Sequence, residues 1–188
     1  MLDIDNLLND EYIQSKVPGL TKAIAANLHE ASLVCLQHNE HSSGVSLILE
    51  GTLAPGQPLP LVWSHPLPNN AFLAHADFQE STEDGAAALG ILLVTEFTEY
   101  ELLARAPKGN GFDYFLIKKD NAINRNRFNF LSSAHHLEVS GILKESKTNT
   151  RNQRLKDKRQ RFQKLGTVGK HIIIIAAFDT PAATMEIS

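Results

Sequence analysis

Cysteine is almost missing from this chain: of 188 residues only Cys35 carries a thiol. A single thiol closes no intramolecular disulfide, so a disulfide framework is excluded and stability must come from a packed interior. Long apolar runs are missing as well. No stretch approaches the ~18–20 apolar residues that span a bilayer as a helix. The first residues, MLDIDNLLNDEY, are acidic and amphipathic, with no basic region leading into an apolar core, so they do not read as a secretory signal. The expectation is a reduced, cytoplasmic protein with no membrane partner. Strong bases are scarce in the first half: residues 1–104 hold only Lys16 and Lys22 against 14 Asp and Glu, a balance of −12. Acids are scarce in the second half, where residues 105–188 hold 16 Lys and Arg against 7 acids, a balance of +9.

What is present suits one domain. The 43% of apolar residues is enough for one core, and the length falls in the range of a single folding unit. Nine of the bases crowd into residues 144–164, beside only Glu145 and Asp157 as acids. A split of this kind points to an anionic partner for the C-terminal half, of which nucleic acid is the commonest; the plain alternative is a solvated helix face.

The pattern of apolar residues divides the chain in two. Residues 3–30 read as helical, interrupted by Pro18-Gly19. The runs SLVCLQ (32–37) and GVSLILE (44–50) read as a hairpin across a polar turn. Residues 51–70 carry five of the eight prolines and read as an extended connection, with LPLVW as a candidate edge strand. From Asp77 onward the segment is rich in Ala and Leu and apolar nearly all round, as a buried helix is, with Glu80, Glu83 and Asp84 in its first turns. YELLARA and GFDYFLIKK follow as strands around a tight Lys108–Gly111 turn, and residues 120–133 as a polar loop. AHHLEVSGIL is a third strand. A strongly basic helix spans residues 148–164 on Leu155 and Phe162, and HIIIIAAF is a central strand buried on both faces. The expected fold is thus α/β, one domain over 1–188, with residues 1–76 as an N-terminal helix-and-hairpin extension of a 77–188 core.

Two carboxylates stand out on this frame. Glu138 sits inside the apolar run LEVSGIL, where a carboxylate is costly to bury unless it is paired or bound to a cation. With a side-chain period of two, His136, Glu138 and Ser140 share one face. Asp113 belongs to the preceding strand, and if the two strands are neighbours the two carboxylates converge. Side by side they resist ionisation, and Mg²⁺ or Mn²⁺, held by one or two carboxylates plus water and phosphate oxygens, removes that cost. The plain alternatives are a turn acid for Asp113, a salt bridge from Glu138 to Arg105, Arg125 or Arg127, and a dipole-compensating surface acid for Glu83.

An acidic helix, three strands, a basic helix and a last strand, with Asp113 in GFDYFL and Glu138-Val139-Ser140 in LEVSG, resemble the restriction-endonuclease-like superfamily and its PD-(D/E)XK motif. The chain is also similar to short bacterial proteins of unassigned function that carry GFDYxL and LEVSG segments. The superfamily resemblance covers about residues 77–187. It implies an αβββαβ core with a mixed sheet, and metal-dependent cleavage of DNA phosphodiester bonds in bacterial defence or DNA processing. It implies Asp113 and Glu138 as catalytic metal ligands, with Glu83 as a third ligand and Glu80 as the next match. In many members it also implies a dimer. Ser140 stands where the superfamily places its lysine, and Phe112 where it places proline. Some members supply that cation from the following helix, which here offers Arg151, Arg154, Lys156 and Lys158, with Lys144 just past the strand. Lys158 and Arg154 are accordingly the catalytic cation candidates, and Arg151, Arg154, Lys158 and Arg161 the expected backbone-tracking residues. Two readings of other classes stand beside this one: an inactive nuclease-like module that binds nucleic acid or a protein, and an antitoxin or immunity-type protein that binds through its acidic half.

Overall fold

The computed structural model describes residues 1–52, 58–120, 134–165 and 170–188. The chain opens with β1 (Leu2–Asp3) and a 3-10 turn over Ile4–Leu8. Helix α1 (Asp10–Lys16) is capped by the Asn9 side chain, which accepts from the Tyr12 amide. After Pro18-Gly19 comes α2 (Lys22–His38), capped by Thr21. Strands β2 (Val45–Gly51) and β3 (Leu59–Val62) follow, then the short α3 (Ala71–Ala74) and the long α4 (Phe78–Phe97). The remainder runs β4 (Tyr100–Arg105), β5 (Tyr114–Lys118), β6 (His135–Ile142), α5 (Arg151–Leu165), β7 (His171–Ala177) and β8 (Ala182–Ile187). The fold is mixed α/β, as the sequence implies.

All eight strands join one mixed sheet in the order β1-β3-β2-β8-β7-β6-β5-β4. The segment β4–β5–β6 is an antiparallel meander, while β6 and β7 run parallel with α5 as their crossover. Beyond β7 the sheet continues through antiparallel β8 to parallel β2. The N-terminal strands β1, β2 and β3 therefore extend the same sheet. Helices α2 and α4 cover one face with most of the core, including Leu33, Leu36, Leu89, Leu92, Ile172 and Ile174. Helix α5 covers the other face through Leu155 and Phe162, over Ile142, Ile173 and Ile175. β7 is buried on both faces, as its four consecutive isoleucines require. Among the described residues no helix is long and apolar enough to cross a membrane.

Two elements depart from the pattern reading. SLVCLQ is not a strand but the second half of α2; Leu33, Val34, Cys35 and Leu36 are all fully buried against α4 and the sheet. A helix buried on most sides loses its 3.6-residue stripe, and a short piece of it is indistinguishable from a buried strand by periodicity. The antiparallel partner of β2 is instead β3, in the proline-bearing stretch LPLV. The second departure is β8, AATMEI, whose small residues carry no strand signal on their own but fill the slot between β7 and β2.

Glycines set how closely α4 lies on the sheet. A Cβ at Gly141 would sit 2.2 Å from the Thr82 carbonyl oxygen, and one at Gly90 2.9 Å from a Val139 methyl. At the far end of α4 the Lys119 ammonium donates to the carbonyls of Thr95 and Thr98, which satisfies the helix C-terminus. The result fixes the acidic start of α4 over the middle of β6.

Candidate active site

The site lies where the sheet comes apart. The β5–β6 ladder pairs Tyr114 with Leu137, Phe115 with His136 and Leu116 with His135. One further bond, from the Asp113 amide to the Leu137 carbonyl at 2.9 Å, closes it. Beyond that point β6 continues through Glu138–Ile142 while the chain before Asp113 turns away toward the Lys108–Gly111 corner. The open β6 edge is met by the Asp113 carboxylate, whose Oδ2 accepts from the Val139 amide at 2.8 Å. A cleft of about 600 Å³ opens here. Its walls are the start of α4 (Glu80, Glu83, Asp84), the β4–β5 hairpin (Arg105 to Tyr114), the centre of β6 (Glu138, Val139, Ser140) and α5 (Lys158, Arg161).

Glu138 is 3% exposed and belongs to the α5 face of the sheet. Its Oε1 pairs with the Lys158 ammonium, and a guanidinium nitrogen of Arg161 lies 3.9 Å away. Burial first and the Asp113 charge second push its carboxyl up to about 7; Lys158 and Arg161 oppose that shift without cancelling it. The two acids singled out from the sequence therefore meet in one cleft and act on each other. Asp113 sits one residue before β5 rather than within it, which frees its carboxylate for the open edge.

Helix and strand spacing explain how α5 delivers its cations. Four residues of helix rise about 6 Å, close to the ~6.6–6.8 Å of two residues of strand. Arg154, Lys158 and Phe162 thus step along β6 in reverse, meeting Ser140, Glu138 and the His136–His171 pair in turn. The Arg154 guanidinium donates to the Ser140 hydroxyl at 2.8 Å and to the Gly141 carbonyl at 2.7 Å, and its Nε donates to Asn149 at 2.7 Å. Ser140 is therefore the rest for an arginine, and Lys158 is the cation that meets Glu138.

The predicted residues separate accordingly. Asp113, Glu138, Glu83, Lys158 and Arg161 share the cleft. Arg154 lies beneath it, spent on Ser140, Gly141 and Asn149. Arg151 points elsewhere, its guanidinium within 3.5 Å of both Glu145 and Glu50, so it ties the start of α5 to β2. Arg125 and Arg127 lie outside the described residues; Glu138 takes its partners from α5, not from Arg105. His136 does not turn toward the carboxylates: its Nδ1 lies 3.3 Å from that of His171, between Phe112 and the His171 ring. Cys35, His38 and His41, whose spacing in the sequence resembles a metal-ligand cluster, form no such group among the described residues. The Cys35 thiol donates to the Ser81 carbonyl at 3.4 Å, and burial pushes its pKa up to about 12. His41 bonds the carbonyls of Phe178 and Asp179.

Residues not anticipated from sequence complete the cleft: Asp84, Arg105, Lys108 and Tyr114. Tyr114 is 4% exposed. Burial, opposed by Arg105 and reinforced by Asp113 and Asp84, pushes its hydroxyl up to about 12, so it stays protonated. The signal for Arg105 was its place at the strand end opposite Tyr114, but that pairing depends on a bulge between Leu102 and Ala104 that no local pattern announces.

Asp113 and Glu138 are the side chains that could hold a hard divalent cation here, since Mg²⁺ takes one or two protein carboxylates and fills its shell with water and phosphate oxygens. Among the described residues no group of three His, Cys, Asp or Glu gathers tightly enough to hold a metal by side chains alone. Comparison of the chain with protein-family models, curated proteins and solved structures returned no match.

Proposed function

We propose that this chain is a metal-dependent nuclease of the restriction-endonuclease-like type that cleaves DNA phosphodiester bonds. The observation that carries this reading is the Lys158 ammonium on buried Glu138, beside Asp113, at the open edge of β6. The element order α4-β4-β5-β6-α5-β7, with β6 and β7 parallel, supports the αβββαβ core that the motif implies.

In this reading Asp113 and Glu138 hold one Mg²⁺ or Mn²⁺, with Glu83 facing it from α4. Such an ion lowers the pKa of a bound water and offsets charge on a phosphate. Lys158, carried by a helix rather than a strand, favours the ionised form of Glu138 against its burial and would neutralise charge developing on the phosphate. Arg161, one helical turn further, holds a neighbouring oxygen. The Asp113–Val139 bond fixes the first ligand against the backbone of the strand that carries the second.

The deciding experiment incubates plasmid and linear DNA with the protein and Mg²⁺ or Mn²⁺. The expected outcome is metal-dependent cleavage that Glu138→Ala abolishes and Lys158→Met lowers about 10²–10³-fold, the usual cost of removing one charge-stabilising donor. Cleavage that survives Glu138→Ala overturns the site. Absence of cleavage in either metal favours the inactive binding module, for which the tight Glu138–Lys158 pair would be a structural tie.

A further inference from the structure

The cations of the cleft come from two directions. Lys158 and Arg161 belong to α5 and are drawn onto Glu138. Arg105 and Lys108 belong to the β4–β5 hairpin, and among the described residues no carboxylate lies within ion-pair distance of either, although both line the cleft. Both side chains are exposed, so their charges stand in solvent, open to an anion that enters the cleft.

Three features build this second position. The bulge between Leu102 and Ala104 adds one residue to β4, which turns Arg105 to the side of its partner Tyr114. Tyr114 packs with the core under α4, so Arg105 approaches from the α4 face while Lys158 approaches from the α5 face. Lys108 stands at the corner that follows, where Gly109 and Gly111 take φ of +101° and +86° and a side chain at Gly109 would meet nothing within 4 Å. The corner thus projects into open space. Arg105 is two strands from Glu138 across the sheet, roughly 10 Å at ~4.8 Å per strand.

We infer that Arg105 and Lys108 form a second phosphate subsite, which holds a neighbouring phosphate of the same nucleic-acid strand whose scissile phosphate lies at Asp113, Glu138 and Lys158. The subsite rests on the phosphodiester reading above and deepens it. It makes the substrate a polynucleotide rather than a mononucleotide or a small phosphodiester, because a chain offers a second phosphate at about the two-strand spacing, roughly 10 Å. It also replaces Arg151 and Arg154 as phosphate contacts with two residues on a different element.

The test compares wild type with Arg105→Ala/Lys108→Ala, with Lys16→Ala as a control for net charge. Binding of a fluorescein-labelled 12-nucleotide DNA, single-stranded and as duplex, is followed by anisotropy in calcium buffer across a salt series. For two lost phosphate contacts the slope of log K against log salt should fall by about 1.4 on the single strand or about 1.8 on the duplex, with at least tenfold weaker binding in low salt. Lys16→Ala should leave both unchanged. A slope and affinity within twofold of wild type, or no binding of either probe by wild type, overturn the subsite. Hydrolysis of bis(p-nitrophenyl) phosphate, which has no second phosphate, should fall much less in the double variant than cleavage of DNA does; an equal loss in both places these residues on the scissile phosphate and overturns the inference. If wild type binds DNA with the expected slope change yet hydrolyses neither substrate, the subsite stands and the nuclease reading fails. Circular-dichroism melting shows that the variant is folded.

Discussion

Burial alone would make the Asp5 carboxyl easier to protonate, but hydrogen bonds from Ser64, His65 and His29 together hold it well below the usual carboxylate range. Its two oxygens join the 3-10 turn, α2 and the chain after β3, with His29 and His65 each 2.9 Å away. A depressed folded-state pKa gives stability that is fully present above the unfolded value near 3.8 and is lost as pH falls below it. Asp5→Asn should therefore lower stability near pH 6 by about 2 kcal/mol, as expected for hydrogen bonds to a charged acceptor. At roughly 2–4 °C per kcal/mol for a chain this long, melting should drop by about 4–8 °C. The difference from wild type should shrink steadily below pH 4; a gap that stays constant down to pH 2 would sink the assignment. Nothing in the sequence singled out Asp5, because its partners come from residues 24, 59 and 60 positions away. Glu138 was legible for the opposite reason: an acid within a run of apolar residues contradicts its own neighbours. Which cation answers it was not legible, since seven bases of α5 compete and only the register of helix on strand selects Lys158.

At the scale of elements, the close seat of α4 on β6 decides where the acids of α4 stand. Gly141→Ala would press a methyl into the Thr82 carbonyl oxygen, which belongs to helix backbone and does not yield. A loss of about 1–3 kcal/mol is expected from overpacking, read by urea denaturation. Gly90→Ala should cost less, because the atom it meets is a Val139 methyl. The two variants falling together, or in reverse order, would show that the helix is free to shift. Element types were readable wherever amphipathic or apolar periodicity was unbroken, as in α4, β6, α5 and β7. They failed in residues 32–37, where a helix packed on most sides has no polar stripe left to reveal its turn. They failed also in β8, whose small residues take their strand identity from the neighbours on either side.

Over the whole molecule, charge separated along the sequence is brought together in space. Glu80, Glu83 and Asp84 come from the acidic half and Lys158 and Arg161 from the basic half, and they face one another across the cleft. The sheet is also uneven in protection. β7 lies between two long ladders and is buried throughout, whereas β1 has two residues at one edge and β4 forms the other. On the outer side of β4 the Gly19 amide donates to the Leu102 carbonyl at 3.2 Å. Amide hydrogen exchange should therefore be slowest in Ile172–Ala176 and faster in β1 and β4; β7 exchanging as fast as either edge would contradict the topology. The unfinished ladder between β5 and β6 has a consequence for any attempt to harden this protein against heat. Completing it would add backbone bonds and raise the melting temperature, and would also close the cleft that Asp113 and Glu138 line. Selection for thermal endurance alone should drift toward that closure, so durability and chemistry compete for the same few ångströms of strand.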